Sequence, residues 1–301
     1  MSGAEEKIMC CASCGIAEGD DIKLKTCTAC KSVRYCGVKC QKEHRPQHKR
    51  DCKKRVAELR DEILFKQPES SHLGDCPICC LPLSIDPRKS TLNVCCCKLI
   101  CNGCDYAHTL REKQENIDCK CPFCRHPVPT SQAEADMNIM KRAEANDPVA
   151  MCLMGEYRCD EGNYKSALEY WTKAAGLGDI KAHYQLAVLY SEGKGVEKDK
   201  KKQLHHLEEA AIGGNPRARH HLGCLELKNG RGERAIKHFI IAAKLGHDDA
   251  LKTLKDAYMK GCVSKEDFAS ALRAHQTAVD ATKSSQREAA AEFAMRYNLN
   301  R

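Results

Sequence analysis

Apolar positions in the second half of the chain recur with a long period. Ala150, Ala182, Ala218 and Ala250 stand 32, 36 and 32 residues apart. A second set echoes them: Trp171 before Ala174-Ala175, Leu207 before Ala210-Ala211 and Phe239 before Ala242-Ala243, each bulky residue three positions ahead of its alanine pair. A glycine follows each, at 178, 214 or 246. A period of this size with two helical stretches per unit predicts an α-solenoid over residues 146–261. Small alanines let the helices approach, and the large residue fills the gap between layers. Beyond Gly261, Ser264-x2-Asp267 reads as a helix start, followed by Phe268, Leu272, Gln276 and Val279 near helical spacing; a last helix runs through Ala289, Phe293 and Tyr297. Arrays of this kind need polar outer helices, so residues 262–301 are assigned a capping role.

The first half carries one helical pattern. Cys40, His44, His48 and Cys52 recur every four residues and share one helix face, and Val56, Leu59, Ile63 and Leu64 continue the spacing. Pro68 to Ser71 then break it, so residues 53–72 read as a helical linker. Cysteine replaces apolar periodicity elsewhere: 19 of the 23 cysteines precede residue 125. They form two ladders. The first is Cys11, Cys14, Cys27, Cys30, Cys36, Cys40, His48 and Cys52; the second is Cys76, Cys79, the run Cys95, Cys96 and Cys97, then Cys101, Cys104, Cys121 and Cys124. Each supplies enough soft or imidazole donors for two closed tetrahedral zinc sites, about four ions in all.

Disulfides are the competing explanation. Met1 to Lys7 contains Glu5 and Glu6 and no apolar stretch, so no secretory signal is expected. No apolar run is long enough to cross a bilayer. A cytoplasmic or nuclear chain keeps its thiols reduced, which favours zinc. With only 5% aromatic residues in 301, several small units are expected rather than one core. The net charge of +8 is concentrated between Lys39 and Arg55, where eight basic residues face Glu43 and Asp51. Nearby cations offset the negative charge of a thiolate-rich site, so this stretch reads as a solvated helix face, and nucleic acid is not the expected partner.

Within the first ladder, His48 and Cys52, four apart on the helix, suit one ion, while Cys40 closes another with loop partners. His44 competes with His48, and His48-x3-Cys52 has the better geometry. The segments Cys11-Ala-Ser-Cys14-Gly15, Tyr35-Cys36-Gly37-Val38-Lys39-Cys40-Gln41 and His48-x3-Cys52 resemble the MYND zinc finger over residues 11–52, after a tail at 1–10. The resemblance implies one zinc on Cys11, Cys14, Cys36 and Cys40 and another on Cys27, Cys30, His48 and Cys52. It also implies binding of short proline-containing peptides, with Gln41 as the matching groove residue. The family's usual groove tryptophan is absent; His44 and Arg45 occupy that stretch.

The second ladder, over residues 73–129, has spacings that resemble a RING finger with cysteine at the usual histidine position. Three consecutive cysteines compete for two ligand places: spacing favours Cys95 and Cys97, and Cys96 could replace either. Cys80 and Cys119 read as bystanders. The resemblance implies a ubiquitin ligase without its own nucleophile, docking a ubiquitin-conjugating enzyme on Ile78, Leu99 and Pro122. Arg125, directly after the last ligand, would orient the thioester.

Residues 130–145 read as a linker. The run Asp179-x2-Ala182-x3-Leu186-x3-Tyr190-x2-Gly193-x-Gly195-Val196-x2-Asp199 resembles Sel-one-like repeats, relatives of the tetratricopeptide repeat. Cys152, Cys159, Cys224 and Cys262 lack ligand spacing and read as ordinary buried thiols. The fold expected is mainly α, with two small zinc-stabilised modules and a C-terminal α-solenoid of helix pairs. Its function is docking of proteins or short peptides, as a RING-type ubiquitin ligase whose repeats recruit the substrate or as a non-enzymatic adaptor.

Overall fold

The computed structural model describes residues 9–297 and divides into two units, one up to Lys66 and one from Gln67 onward. Most of the expected N-terminal tail, residues 1–8, lies outside the described residues.

In the first unit, β1 (Lys25–Thr26) pairs antiparallel with β2 (Arg34–Tyr35), and α1 (Val38–Leu64) follows, running without interruption into the expected helical linker as far as Leu64. Its small core is built from the cysteines themselves together with Leu24 and Tyr35, with Ile22 and Val33 packed alongside. So few apolar side chains cannot by themselves offset the entropy of ordering about 55 residues, which is why a metal is needed.

The second unit opens with β3 (Ser90–Asn93) and β4 (Lys98–Cys101), an antiparallel hairpin in register Asn93↔Lys98, followed by α2 (Asn102–Glu115). Next comes α3 (Gln132–Glu144), where a linker was expected. Ser131 caps it, accepting from Glu134 N–H at 3.3 Å, and Glu134 reaches back to Thr130 N–H at 2.8 Å, a reciprocal cap. Its buried face, Ile139 and Ala143, joins Met151 and Trp171 in the core. The array follows as α4 (Pro148–Asp160), α5 (Tyr164–Gly176), α6 (Ile180–Glu192), α7 (Lys200–Ile212), α8 (Pro216–Lys228), α9 (Gly232–Lys244) and α10 (Asp248–Met259). Last are α11 (Lys265–Asp280) and α12 (Ser285–Arg296).

The period of the sequence is the period of the packing. Ala150, Ala182, Ala218 and Ala250 are fully buried, as are the alanines at 174, 210, 211, 242 and 243, with Trp171, Leu207 and Phe239 between them. Two glycines mark how closely the helices approach. A Cβ at Gly155 would lie 2.4 Å from Trp171 Nε1, and one at Gly223 would lie 2.5 Å from a ring carbon of Phe239. Asp147, Asp179 and Asn215 cap α4, α6 and α8 by accepting backbone N–H groups of the first turn, each satisfying a donor that the helix leaves unpaired.

The two final helices part company. α11 packs on α9 and α10, whereas α12 leaves the array and packs on α2, with the Tyr106 and Phe293 ring centroids 4.9 Å apart. The hairpin also touches the array, since Cys97 and Val94 pack into the core that holds Ile139 and Trp171. Of the four late cysteines, Cys152 is buried, Cys159 and Cys224 are half-buried and Cys262 is exposed, so the expectation of buried thiols does not hold for Cys262, on the turn after α10.

Candidate metal centres and docking surfaces

Four Cys-x2-Cys pairs share one local design. Gly15, Lys31, Cys80 and Arg125, each directly after the second cysteine, take a left-handed φ between 55° and 73° and donate N–H to the carbonyl of the first cysteine at 2.8–3.1 Å. The first cysteine's own N–H then bonds to Ile16, Val33, Leu81 or His126, at 2.8–2.9 Å. Such a loop turns both thiols the same way while leaving amide N–H groups aimed at sulfur. Cys101 N–H points to Cys76 Sγ at 3.4 Å, Cys104 N–H to Cys101 Sγ at 3.4 Å and Phe123 N–H to Cys121 Sγ at 3.5 Å.

The loops are brought together in four groups, each with its donor atoms within 4.8 Å of one another: Cys11, Cys14, Cys36 and Cys40; Cys27, Cys30, His48 and Cys52; Cys76, Cys79, Cys101 and Cys104; and Cys95, Cys96, Cys121 and Cys124. A tetrahedron with zinc–sulfur bonds of about 2.3 Å has edges of about 3.8 Å. Observed separations are 3.6 Å for Cys14 and Cys36, 3.5 Å for Cys36 and Cys40, 4.0 Å for Cys27 and Cys52, 3.8 Å for Cys79 and Cys101 and 3.6 Å for Cys96 and Cys121. His48 Nε2 stands 3.3 Å from Cys30 Sγ. The donor sets and the spacing fit zinc in closed sites, with no place left for a substrate.

Proton affinities within the groups are uneven. Backbone N–H groups of Cys14 and Cys36 hold the Cys11 thiol down at about 6. At Cys76 burial works upward, yet the N–H groups of Cys101, Cys79 and Ile78 outweigh it and bring the thiol to about 6. Bonds shared with the Cys40 and Cys14 thiols push Cys36 up to about 12.

The structure departs from the spacing argument at the cysteine run. Cys95 and Cys96, not Cys95 and Cys97, face Cys121 and Cys124, with Cys95 Sγ 3.3 Å from Cys124 Sγ. The hairpin register is the reason. Residues 94–97 form the turn between Asn93 and Lys98, and Cys97 closes it at φ 55°, donating N–H to Asn93 carbonyl at 2.7 Å. Its side chain is thereby turned into the array core, where burial pushes the thiol up to about 11. His44 is likewise outside the clusters: its Nδ1 lies 3.1 Å from Tyr35 OH, and its ring stacks on His48 at 5.7 Å. Cys10, Cys80 and Cys119 are exposed and belong to no cluster.

Among the docking residues, Gln41 is exposed on α1 next to Cys40. Ile78 is 43% exposed between the first two ligands of the second module, Pro122 is half-buried and the Arg125 side chain is exposed. Leu99 is placed differently. It lines a cavity of about 630 Å³ whose other wall is Val149, Leu153 and Tyr184 of the array. No helix among the described residues is long and apolar enough to cross a membrane.

Comparison with known proteins agrees with this division. The MYND finger family matches residues 11–52, and the Sel1 repeat family matches residues 148–179, 180–215 and 217–247. Chitin synthase regulatory factor 4 of Schizosaccharomyces pombe is 30% identical over 134 residues, covering 42% of this chain and 21% of that protein. An uncharacterised protein of Neisseria meningitidis serogroup B is 32% identical over 122 residues, covering 40% of this chain and 26% of that protein. The chain thus spans about a fifth to a quarter of the length of these curated relatives. Among solved structures, a Sel1 repeat protein from Oxalobacter formigenes is similar at 23% identity and a TM-score of 0.44, covering 60% of this chain and 72% of that one. A protective antigen of uropathogenic Escherichia coli with an SLR fold is similar at 21% identity and a TM-score of 0.39, covering 64% and 39%. The chain is a mainly helical, zinc-binding protein with a MYND finger and a Sel1 repeat solenoid, both of them protein-interaction modules.

Proposed function

We propose that the chain is a zinc-organised docking platform of the cell interior, cytoplasmic or nuclear, holding two zinc ions in each cysteine module. Its repeats hold a protein client, and its second module acts as a RING-type surface for a ubiquitin-conjugating enzyme. The observation that carries this reading is the interleaving of the second ladder. Its first and third pairs share one cluster, and Cys95 and Cys96 share the other with the last pair, so two ions tie together segments that apolar packing alone would leave loose. Ile78 and Pro122 sit in two of the cysteine loops, and Arg125 projects from the second of these. Such a surface supplies no nucleophile; it holds a loaded enzyme in a reactive pose, which is catalysis by orientation. The first finger would take short peptides beside Gln41.

A non-enzymatic adaptor is the second reading, and the position of Leu99 favours it. A residue that packs on the module's own core and lines a cavity shared with Val149, Leu153 and Tyr184 of the array adds little to an open docking face. Discharge of ubiquitin from loaded conjugating enzymes by the zinc-replete chain separates the two. The ligase reading expects acceleration with at least one enzyme of a broad panel and loss of it in Arg125→Ala. Absence of acceleration across the panel leaves the adaptor.

A further inference from the structure

Four thiolates and one divalent cation leave a formal charge of −2 on the cluster of Cys76, Cys79, Cys101 and Cys104. Three of these four cysteines are buried, and a buried charge without a partner is strongly destabilising. The last helix brings the partner. Arg287, 208 residues after Cys79, donates from Nη2 to Cys79 Sγ at 3.3 Å and to Leu81 carbonyl at 3.1 Å. From Nη1 it donates to Pro82 carbonyl at 2.7 Å and to Thr282 carbonyl at 2.8 Å. One guanidinium thereby grips a ligand sulfur and the loop that carries it, while tying that loop to the start of its own helix. Arginine's planar fork suits this, and a lysine ammonium would not reproduce it.

The seat for this side chain is built into α2. Gly103 lies between the ligands Cys101 and Cys104, and a Cβ there would come within 2.8 Å of Arg287 Cγ and 2.9 Å of its backbone nitrogen. Farther along the same pair of helices, Tyr106 meets Phe293, and Ala290 is buried. Groups that hold a metal ligand from outside typically change metal affinity about 10–100-fold when removed.

We propose that Arg287 is a positioning residue for the zinc site of Cys76, Cys79, Cys101 and Cys104, and that zinc loading of this site and docking of α12 on α2 are one coupled event. The proposal rests on the zinc reading of that cluster. Loss of this zinc frees the ligand loop, releases Arg287 and uncovers the α2 face that Phe293 occupies.

The test uses the zinc-replete full chain and two readouts: zinc release to a chromogenic chelator, and hydrogen exchange over residues 285–296. In Arg287→Ala about one zinc equivalent should leave at least tenfold faster, with Arg287→Lys intermediate. Gly103→Val, which displaces the arginine without removing it, should give the same fast phase. Stripping zinc from the unmutated chain should raise exchange in 285–296 while Trp171 fluorescence reports an intact array. Substitution by cobalt adds a spectroscopic check, since loss of an N–H to sulfur bond shifts the thiolate-to-metal charge-transfer band in Arg287→Ala. Release as slow in both variants as in the unmutated chain, or an α12 that stays protected after stripping, overturns the coupling. A Cys76→Ala chain holding as many zinc ions as the unmutated one overturns the site itself, an outcome distinct from a failure of the arginine on a chain that keeps its metal.

Discussion

Truncating Trp171 tests whether the array is held by one large side chain per layer. Trp171 is 2% exposed and lies against Gly155 of the facing helix, with Nε1–H donating to Cys152 carbonyl at 3.0 Å. A buried tryptophan removes about 150–250 Å² from water, which at about 25 cal/mol per Å² amounts to about 4–6 kcal/mol as an upper bound. Measured truncations of this kind cost about 3–5 kcal/mol, because the glycine-lined gap cannot fully collapse. Trp171→Phe keeps most of the volume and loses the N–H donor, for about 1–2 kcal/mol in all. The Cys152 carbonyl, inside α4, keeps its helical partner, so it is not orphaned. Unfolding in urea, followed by far-ultraviolet circular dichroism at saturating zinc, gives the comparison. Since repeats interact mainly with their neighbours, Trp171→Ala should split off an early transition of the first layers while later ones melt nearly as before. Leu204→Ala, at a position 41% exposed, should stay within about 0.5 kcal/mol of the parent. A Trp171→Ala midpoint no lower than that of Leu204→Ala would refute the claim that the bulky residue carries the layer.

Two further substitutions separate metal binding from packing at the cysteine run. Cys96→Ala should lower the zinc content by about one equivalent or loosen it measurably, whereas Cys97→Ser should leave zinc content unchanged and lower the stability of the array by placing a hydroxyl in its core; equal zinc loss in both would contradict the hairpin geometry. The buried histidines predict an acid-sensitive array. Burial and the neighbouring His183, His205 and Lys202 hold His206 down from the usual 6.5 to about 4. Below pH 6.5 the unfolded chain takes up a proton that the folded chain refuses, so this contribution is complete above pH 6.5 and is lost as the pH falls toward 4. The fall in urea midpoint between pH 7.5 and pH 5 should therefore be smaller in His206→Gln than in the parent, and equal slopes would show that His206 titrates normally.

What was legible in the sequence was what local chemistry or a period dictates. Four of the five Cys-x2-Cys pairs form the same loop because a left-handed residue and two backbone bonds suffice to close it; the fifth, Cys101 and Cys104, opens α2 instead. The alanine echoes marked the array because small residues are tolerated at one depth of every helix pair. The helix within the linker at 130–145 is hard to read from sequence although Ser131-x2-Glu134 is a helix start, because the buried face of α3 is only Ile139 and Ala143 and gives little periodic signal. The choice among Cys95, Cys96 and Cys97 could not be made from spacing, since a strand register settles it, and register depends on pairing with residues 98–101. Nothing near Arg287 in the chain distinguishes it from the other basic residues, because its partners in the cysteine loop lie more than 200 positions away.

The two cysteine modules solve one electrostatic problem differently, and the difference bears on how each can work. In the first, the helix that supplies Cys40, His48 and Cys52 also carries Lys39, Lys49 and Lys53, each next to a ligand in sequence, so positive charge is available from the same element. In the second, the cation hydrogen-bonded to Cys79 comes from α12, and the turn that supplies Cys95 and Cys96 also plants Cys97 in the array core. A module fastened at one metal site to the array core and at the other to α12, which a short turn joins to the array through α11, cannot swing as a free bead. A client held by the repeats would therefore meet Ile78, Pro122 and Arg125 at a fixed distance, whether those residues receive a conjugating enzyme or another protein. A flexible insertion after Pro129 would not relax that geometry while Cys97 and Arg287 remain seated. Substituting both should, and a client-dependent activity that survives the double substitution Cys97→Ser with Arg287→Ala unchanged would show that the rigid connection plays no part in it.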